Sequence, residues 1–196
     1  MQRPIALLAA LSCAGLVNAA QAAEDPAATR VEGFCRGLAQ AAKLGRASVQ
    51  QKAGRLEPLV ADDFNIPMMA QLAIGEPWSR MSANEREALT AALTRYTAAR
   101  YAAELDDDTA ARCTVDPRVD TRGPDKLVRT KVPDPDGPVS VNYRLRQDGG
   151  GWKVIDVYYN GVSELATQRA DFAGVVRAQG AAGLVARLKE LTAKMR

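Results

Sequence analysis

The sequence predicts an α+β fold in which helices precede and follow an antiparallel sheet of about four strands. Three observations carry that prediction. Apolar residues recur at helical spacing up to about residue 105. After Asp106-Asp107-Asp108 the period changes to two and short turns punctuate it. Helical spacing then returns from about Val162 to the C-terminus. Helices, then strands, then helices is the order of an α+β domain rather than of alternating βα units. Hydrophobic residues make up 47% and charged residues 25% of the 196, so the chain can bury a core and is not of disordered composition.

The first helix carries Val31, Phe34, Cys35, Leu38 and Ala42 and stops at Gly45. A second, from Ser48, carries Val49, Leu56, Leu59 and Val60. A short third spans Ile66 to Ile74, with Pro67 in its first turn, where a missing N–H costs nothing. Ser82-Ala83-Asn84-Glu85 is a capping box, and the helix it starts runs to about Leu105 with Leu89, Leu93 and Tyr96 on one stripe. Cys113 to Val119 and Lys126 to Val132 read as strands. Asp134-Pro135-Asp136-Gly137 is a turn, since proline presets φ and glycine accepts a positive one. Val139, Val141, Tyr143 and Leu145 then alternate with Ser140, Asn142, Arg144 and Arg146. Asp148-Gly149-Gly150-Gly151 returns the chain into Trp152 to Tyr159. Two closing helices follow, one over about Val162 to Ala178 with Leu165, Phe172 and Val176 inward. The other carries Leu184, Leu188, Leu191 and Met195.

The N-terminus reads as an export signal. Arg3 precedes an apolar stretch from Ile5 to Val17, and Ala20-Gln21-Ala22 fits a cleavage site. Residues 1–22 are therefore expected to leave, and residues 23–196 to form a single domain. Cys13 would leave with them, while Cys35 and Cys113 remain, either as one disulfide in an oxidising compartment or as two buried thiols.

Composition also excludes chemistry. With no histidine, Ser-His and Cys-His catalysis and His-ligated metals are absent. Twenty-six Lys plus Arg against 23 Asp plus Glu give a net charge of +3, too balanced for a nucleic-acid arm. Three consecutive aspartates, Asp106 to Asp108, read as a solvated charge run, because calcium loops need spaced ligands. Asp156, on a strand among apolar residues, is the one candidate acid–base group, with Tyr143 or Tyr158 as an oxyanion donor. Arg144 and Arg146 form a stripe that either docks an acidic partner or is solvated.

The last strand departs from clean alternation. Ile155, Val157 and Tyr159 share one parity, and Trp152, Val154 and Tyr158 the other. Two readings are open: helices covering both faces of the sheet, or a sheet curled around a cavity able to hold an apolar ligand.

Two segments carry a resemblance. One is Met68-Met69-Ala70-Gln71-Leu72-Ala73-Ile74-Gly75, Trp78 and Met81-Ser82-Ala83-Asn84-Glu85-Arg86-Glu87, with Tyr96 following. The other is Trp152-Lys153-Val154-Ile155-Asp156-Val157 with Asn160-Gly161-Val162-Ser163, continuing through Arg169, Asp171-Phe172 and Gly180 to Leu184 and Leu188. Together, over about residues 30 to 192, they resemble the MlaC or toluene-tolerance family. The stretch from Val157 to Arg169 is similar to its hopanoid-associated HpnM branch. A turn usually of DPNG type is Asp134-Pro135-Asp136-Gly137 here.

The resemblance implies a fold related to the NTF2-like cone, with a deep apolar pocket, and a non-enzymatic periplasmic carrier. Its cargo would be phospholipid, or a hopanoid lipid, with no cofactor. Its partners would be an inner-membrane ABC transporter complex and an outer-membrane lipoprotein complex, not nucleic acid, and the carrier would be a monomer. With a pocket implied, the lipid-lining candidates are Met69, Leu72, Leu93, Tyr96, Tyr143, Val157, Tyr159, Val162, Leu165 and Phe172. Methionine repacks readily around varied hydrocarbon, and tyrosine adds area with a polar tip. The Asn160-Gly161 connector is the expected hinge for release.

Overall fold

Every long helix begins on a side chain that satisfies free backbone N–H groups. The computed structural model describes residues 24–105 and 113–195, so the expected signal segment and Asp106 to Asp108 lie outside the described residues. Asp25 accepts from the Ala27 N–H at 2.9 Å and starts α1, Pro26–Ala42. Capping boxes start α2, Val49–Asp63, and α5, Ala83–Ala103, through Ser48 with Gln51 and Ser82 with Glu85. Asn65 caps α3, Ile66–Ile74, and a single turn, α4, covers Pro77–Arg80.

The sheet is open and wholly antiparallel, in the order β1 (Thr114–Arg122), β2 (Asp125–Val132), β3 (Val139–Asp148), β4 (Gly151–Tyr159) and β5 (Val162–Ser163). The expected four strands are all present, and β5 is a two-residue addition. Edge strand β1 accommodates Pro117 in an irregularity between Val115 and Val119, where no ladder N–H is demanded.

Strand β4 explains the broken alternation. Leu145 pairs with Val154 and Arg144 with Asp156, leaving Ile155 as an extra residue in a β-bulge. Side-chain parity changes there. Trp152, Val154, Val157 and Tyr159 therefore share the face that also carries Leu145, Tyr143 and Val141. Asp156 and Tyr158 share the other with Arg144 and Asn142. The paired apolar residues of the strand thus share one face, and Ile155, the unpaired residue of the bulge, is itself fully buried. Beside the bulge the Val154 carbonyl accepts from the Asn65 N–H at 2.8 Å, tying the α2–α3 junction to the sheet.

The helices cover that apolar face. Val128, Tyr143, Leu145, Val154 and Val157 form one core with Val31, Phe34 and Leu38 of α1, Leu56 and Val60 of α2, and Leu89 and Leu93 of α5. At Gly37 a Cβ would lie 2.4 Å from Leu59 Cδ1, so the missing side chain permits the close approach of α1 and α2. Cys35 and Cys113 are disulfide-bonded, which decides between the two readings of that pair and clips α1 to the start of β1.

On the opposite face the arginine stripe is engaged internally. Buried Asp125 accepts from Arg144 Nε at 2.6 Å and from Arg146 at 2.5 and 3.0 Å. The two expected C-terminal helices are both present: within the stretch Glu164–Lys194, called α6, one helix ends and the next begins at Gly180, whose φ of 68° and ψ of −171° are non-helical.

Candidate functional site

Two adjoining hollows lie between α5 and the apolar face of the sheet, the larger closed also by α1 and the smaller by α3 and the start of α6. The larger, about 360 Å³, is walled by Leu38, Leu105, Val132, Val139, Val141 and Tyr143, with Pro133, Asp134 and Pro135 at the β2–β3 turn. That volume falls at the small end of the about 300–1,000 Å³ typical of ligand pockets. The smaller, about 40 Å³, is bounded by Phe64, Met69, Val157 and Leu165 and by a polar set, Thr97, Arg100, Glu164 and Gln168. Tyr101, Glu104 and Tyr159 border both.

Those three residues form the partition. Tyr159 donates its hydroxyl to Glu104 Oε2 at 2.7 Å. The Tyr101 hydroxyl is buried and has no hydrogen-bond partner of acceptable geometry, although the Tyr143 phenol faces it. Burial pushes the Tyr101 and Tyr143 phenols above the usual tyrosine range. For Tyr159, burial and then the adjacent Glu104 carboxylate push in the same direction. All three phenols are therefore neutral at physiological pH.

Phe34 supports the partition from below. Its ring meets Phe64 and Tyr101 edge-on at 5.0 Å each, and Tyr143 at 6.1 Å. Such T-shaped contacts fix ring orientation as well as burying area.

The polar end is an ion-pair group. Arg100 bonds Glu164 in the first turn of α6, and Glu104 lies 3.9 Å from the same guanidinium. Burial acts to lower the Arg100 pKa, but the Glu164 carboxylate outweighs it and holds the guanidinium above its ordinary value. Gln168 Nε2 donates to Glu164 at 3.4 Å.

Of the residues expected from sequence, Met69, Tyr143, Val157, Tyr159 and Leu165 line the hollows. Leu93 and Phe172 lie in the core, 4% and 5% exposed. Tyr96 is partly buried against that core. Leu72 and Val162 are on the surface, 36% and 63% exposed. Missed were Leu38, the Tyr101–Glu104–Leu105 end of α5, and the Arg100–Glu164 pair. A signal for α5 existed: Thr97, Tyr101 and Leu105 continue the Leu93 position at four-residue spacing.

Asp156 borders neither hollow. Its oxygens accept from the Val157 N–H at 2.9 Å, the Ser163 hydroxyl at 2.7 Å and the Leu165 N–H at 3.1 Å, anchoring the start of α6 to β4. The expected hinge is a tight hairpin turn, with Asn160 and Gly161 both at positive φ, 47° and 86°. Asn160 is held on Ser140 by bonds of 2.8 and 3.1 Å. Among the described residues no cluster of three or more acidic or cysteine side chains is placed to hold a metal ion. Nor is any helix among them long and apolar enough to cross a membrane.

No curated protein matches the chain. Among solved structures it is similar to a phospholipid-binding protein from Ralstonia solanacearum determined with a phospholipid bound. The likeness has a TM-score of 0.66 at 23% identity, covers 86% of this chain and 98% of that one, and shows a shared fold. The family profile described as MlaC protein matches residues 31–190, from the first turns of α1 to the last turns of α6. Matched over that span, the chain belongs to the MlaC family.

Proposed function

We propose that this protein is a non-enzymatic periplasmic lipid carrier. It holds the hydrocarbon of a phospholipid in the hollow between α1, α5 and the apolar face of the sheet, and shuttles it between inner and outer membranes. The observation that carries this reading is the apolar hollow of about 360 Å³ in a chain of the MlaC family. The solved Ralstonia relative, which shares the fold and carries a phospholipid, supports it.

The energetics require such a hollow. Each methylene exposed to water costs about 0.8 kcal/mol, so a pair of 16-carbon tails carries on the order of 20 kcal/mol against crossing an aqueous space. A carrier offsets this with a dry, non-directional surface, which tolerates different chain lengths. Val132, Val139, Val141, Leu38 and Leu105 supply that surface. A diacyl lipid fills more than the larger hollow alone. Loading therefore parts Tyr159 from Glu104 and joins the two hollows, whose shared border those residues form.

In this reading residues 1–22 direct export and are removed, and residues 23–196 act as a monomer. Lipid passes between an inner-membrane ABC transporter complex and an outer-membrane lipoprotein complex. Organic extraction of the purified mature protein tests the carrier. Stoichiometric phospholipid or hopanoid in the extract supports it, and protein purified from periplasm without lipid overturns it.

A further inference from the structure

We propose that the polar end of the smaller hollow is a head-group subsite that selects a zwitterionic glycerophospholipid with a primary ammonium over a net-anionic one. This rests on the carrier reading above and narrows its cargo. The charged side chains bordering the two hollows are Arg100, Glu104, Glu164 and Asp134, one cation against three anions. That single cation is already engaged: Arg100 bonds Glu164, with Glu104 3.9 Å away. Arg100 and Glu164 are only 28% and 25% exposed, so water compensates either one poorly if its partner is taken away.

A lipid phosphate is drawn to the guanidinium, because Arg matches phosphate oxygens with two parallel N–H donors. In binding there it displaces Glu164. A net-anionic lipid then leaves the carboxylate stranded, half-desolvated and beside new negative charge. A phosphoethanolamine brings its own ammonium, which takes up the carboxylate that its phosphate releases. One ion pair becomes two, and no charge is left alone. A choline head keeps the charge balance but has no N–H to donate, so it falls between the two.

A second, independent feature marks the same place as a ligand site. The buried Tyr101 hydroxyl has only the Tyr143 phenol facing it, at a geometry short of a good hydrogen bond, and Tyr101 borders both hollows where they meet. Buried hydroxyls are rarely left unpaired without a reason. A glycerol or ester oxygen running from the polar end into the larger hollow supplies the missing bond.

The test is a competition. Delipidated protein is incubated with vesicles holding equal amounts of phosphatidylethanolamine, phosphatidylcholine and phosphatidylglycerol with identical acyl chains, and the lipid recovered on the protein is quantified by mass spectrometry. The expected order is ethanolamine, choline, glycerol, with about tenfold between the ends, the worth of one charge-assisted hydrogen bond. In Glu164→Gln the ethanolamine-to-glycerol ratio falls toward one. The wild-type series needs no variant and stands even if that substitution disturbs folding. Equal uptake of the three, an excess of phosphatidylglycerol, or an unchanged ratio in a folded Glu164→Gln protein overturns the head-group subsite while leaving the carrier standing. If none of the three lipids is taken up, the carrier reading falls and the subsite with it.

Discussion

The Tyr159 hydroxyl reaches Glu104 across 2.7 Å, joining the end of β4 to the C-cap of α5 at the border of the two hollows. The bond has little packing to protect it, since Glu104 is exposed, and in the proposed carrier it crosses the path between the two hollows that a lipid tail would take. In Tyr159→Phe the ring and its burial remain and only the bond is lost. The expected cost in stability is about 1 kcal/mol, and lipid transfer between donor and acceptor vesicles should accelerate. A transfer rate equal to wild type in a folded variant removes the partition from the mechanism.

Alkaline pH should weaken the fold through the same cluster. The phenols of Tyr101, Tyr143 and Tyr159 are raised above the unfolded value of 10.0. A group whose folded pKa is raised contributes its full stability below the unfolded value and loses it as pH climbs above about 10. Denaturant midpoints should be flat in this respect at neutral pH and fall above pH 10. Tyr143→Phe should fall less steeply, and parallel slopes count against the cluster as the cause.

Acid acts on the opposite face of the sheet. Burial pushes the Asp125 carboxyl up, but the bonds from Arg146 and Arg144 outweigh it and hold the group below 3.8. A depressed carboxylate stabilises the fold above its unfolded pKa and loses that contribution as pH falls through the folded value. Urea midpoints of Asp125→Asn should lie below wild type at pH 6 and converge with it below pH 3.8. A constant gap across that range contradicts the assignment.

Reduction should cost more than any of these. The Cys35–Cys113 bond closes a loop spanning 78 positions, which on a chain-entropy estimate is worth about 4.5 kcal/mol. Chemical denaturation with and without reductant measures it, and a difference below about 1 kcal/mol would show that the unfolded chain is little constrained by the bond.

Asp156→Asn should be felt locally. Three donors converge on this carboxylate, two of them from Ser163 and Leu165 at the start of α6. Asparagine keeps one acceptor oxygen, so the loss should be about 1–3 kcal/mol. Amide hydrogen exchange should rise in the first turn of α6. Undisturbed exchange there would leave Asp156 without its structural role.

The helices were legible because their signals are local. Asn65 before Ile66-Pro67 and Ser82 before Glu85 mark starts that α3 and α5 adopt to the residue. The hairpins followed from Gly and Pro in the same way. What escaped depends on partners distant in sequence. Ile155 looks like any other strand residue, and only the pairing of β4 with Leu145 and Arg144 makes it the extra one. Period-two counting through it therefore split Val154 from Val157, which share a face. The site was half legible for the same reason. Val157 and Tyr159 announce themselves as apolar strand residues, while Arg100 and Glu164 meet across 64 positions and look like surface charges.

With Ile155 left out, β4 becomes an ordinary amphipathic strand: Trp152, Val154, Val157 and Tyr159 inward, Lys153, Asp156 and Tyr158 outward. The strand is best understood as a regular one with a single insertion. Its effect is to let one ribbon serve two neighbours on its outer border, the α2–α3 junction at Val154 and β5 at Tyr158 and Tyr159. Length changes in this segment should therefore be tolerated far less than exchanges of side chain, because one residue more or fewer alters which neighbour the border meets.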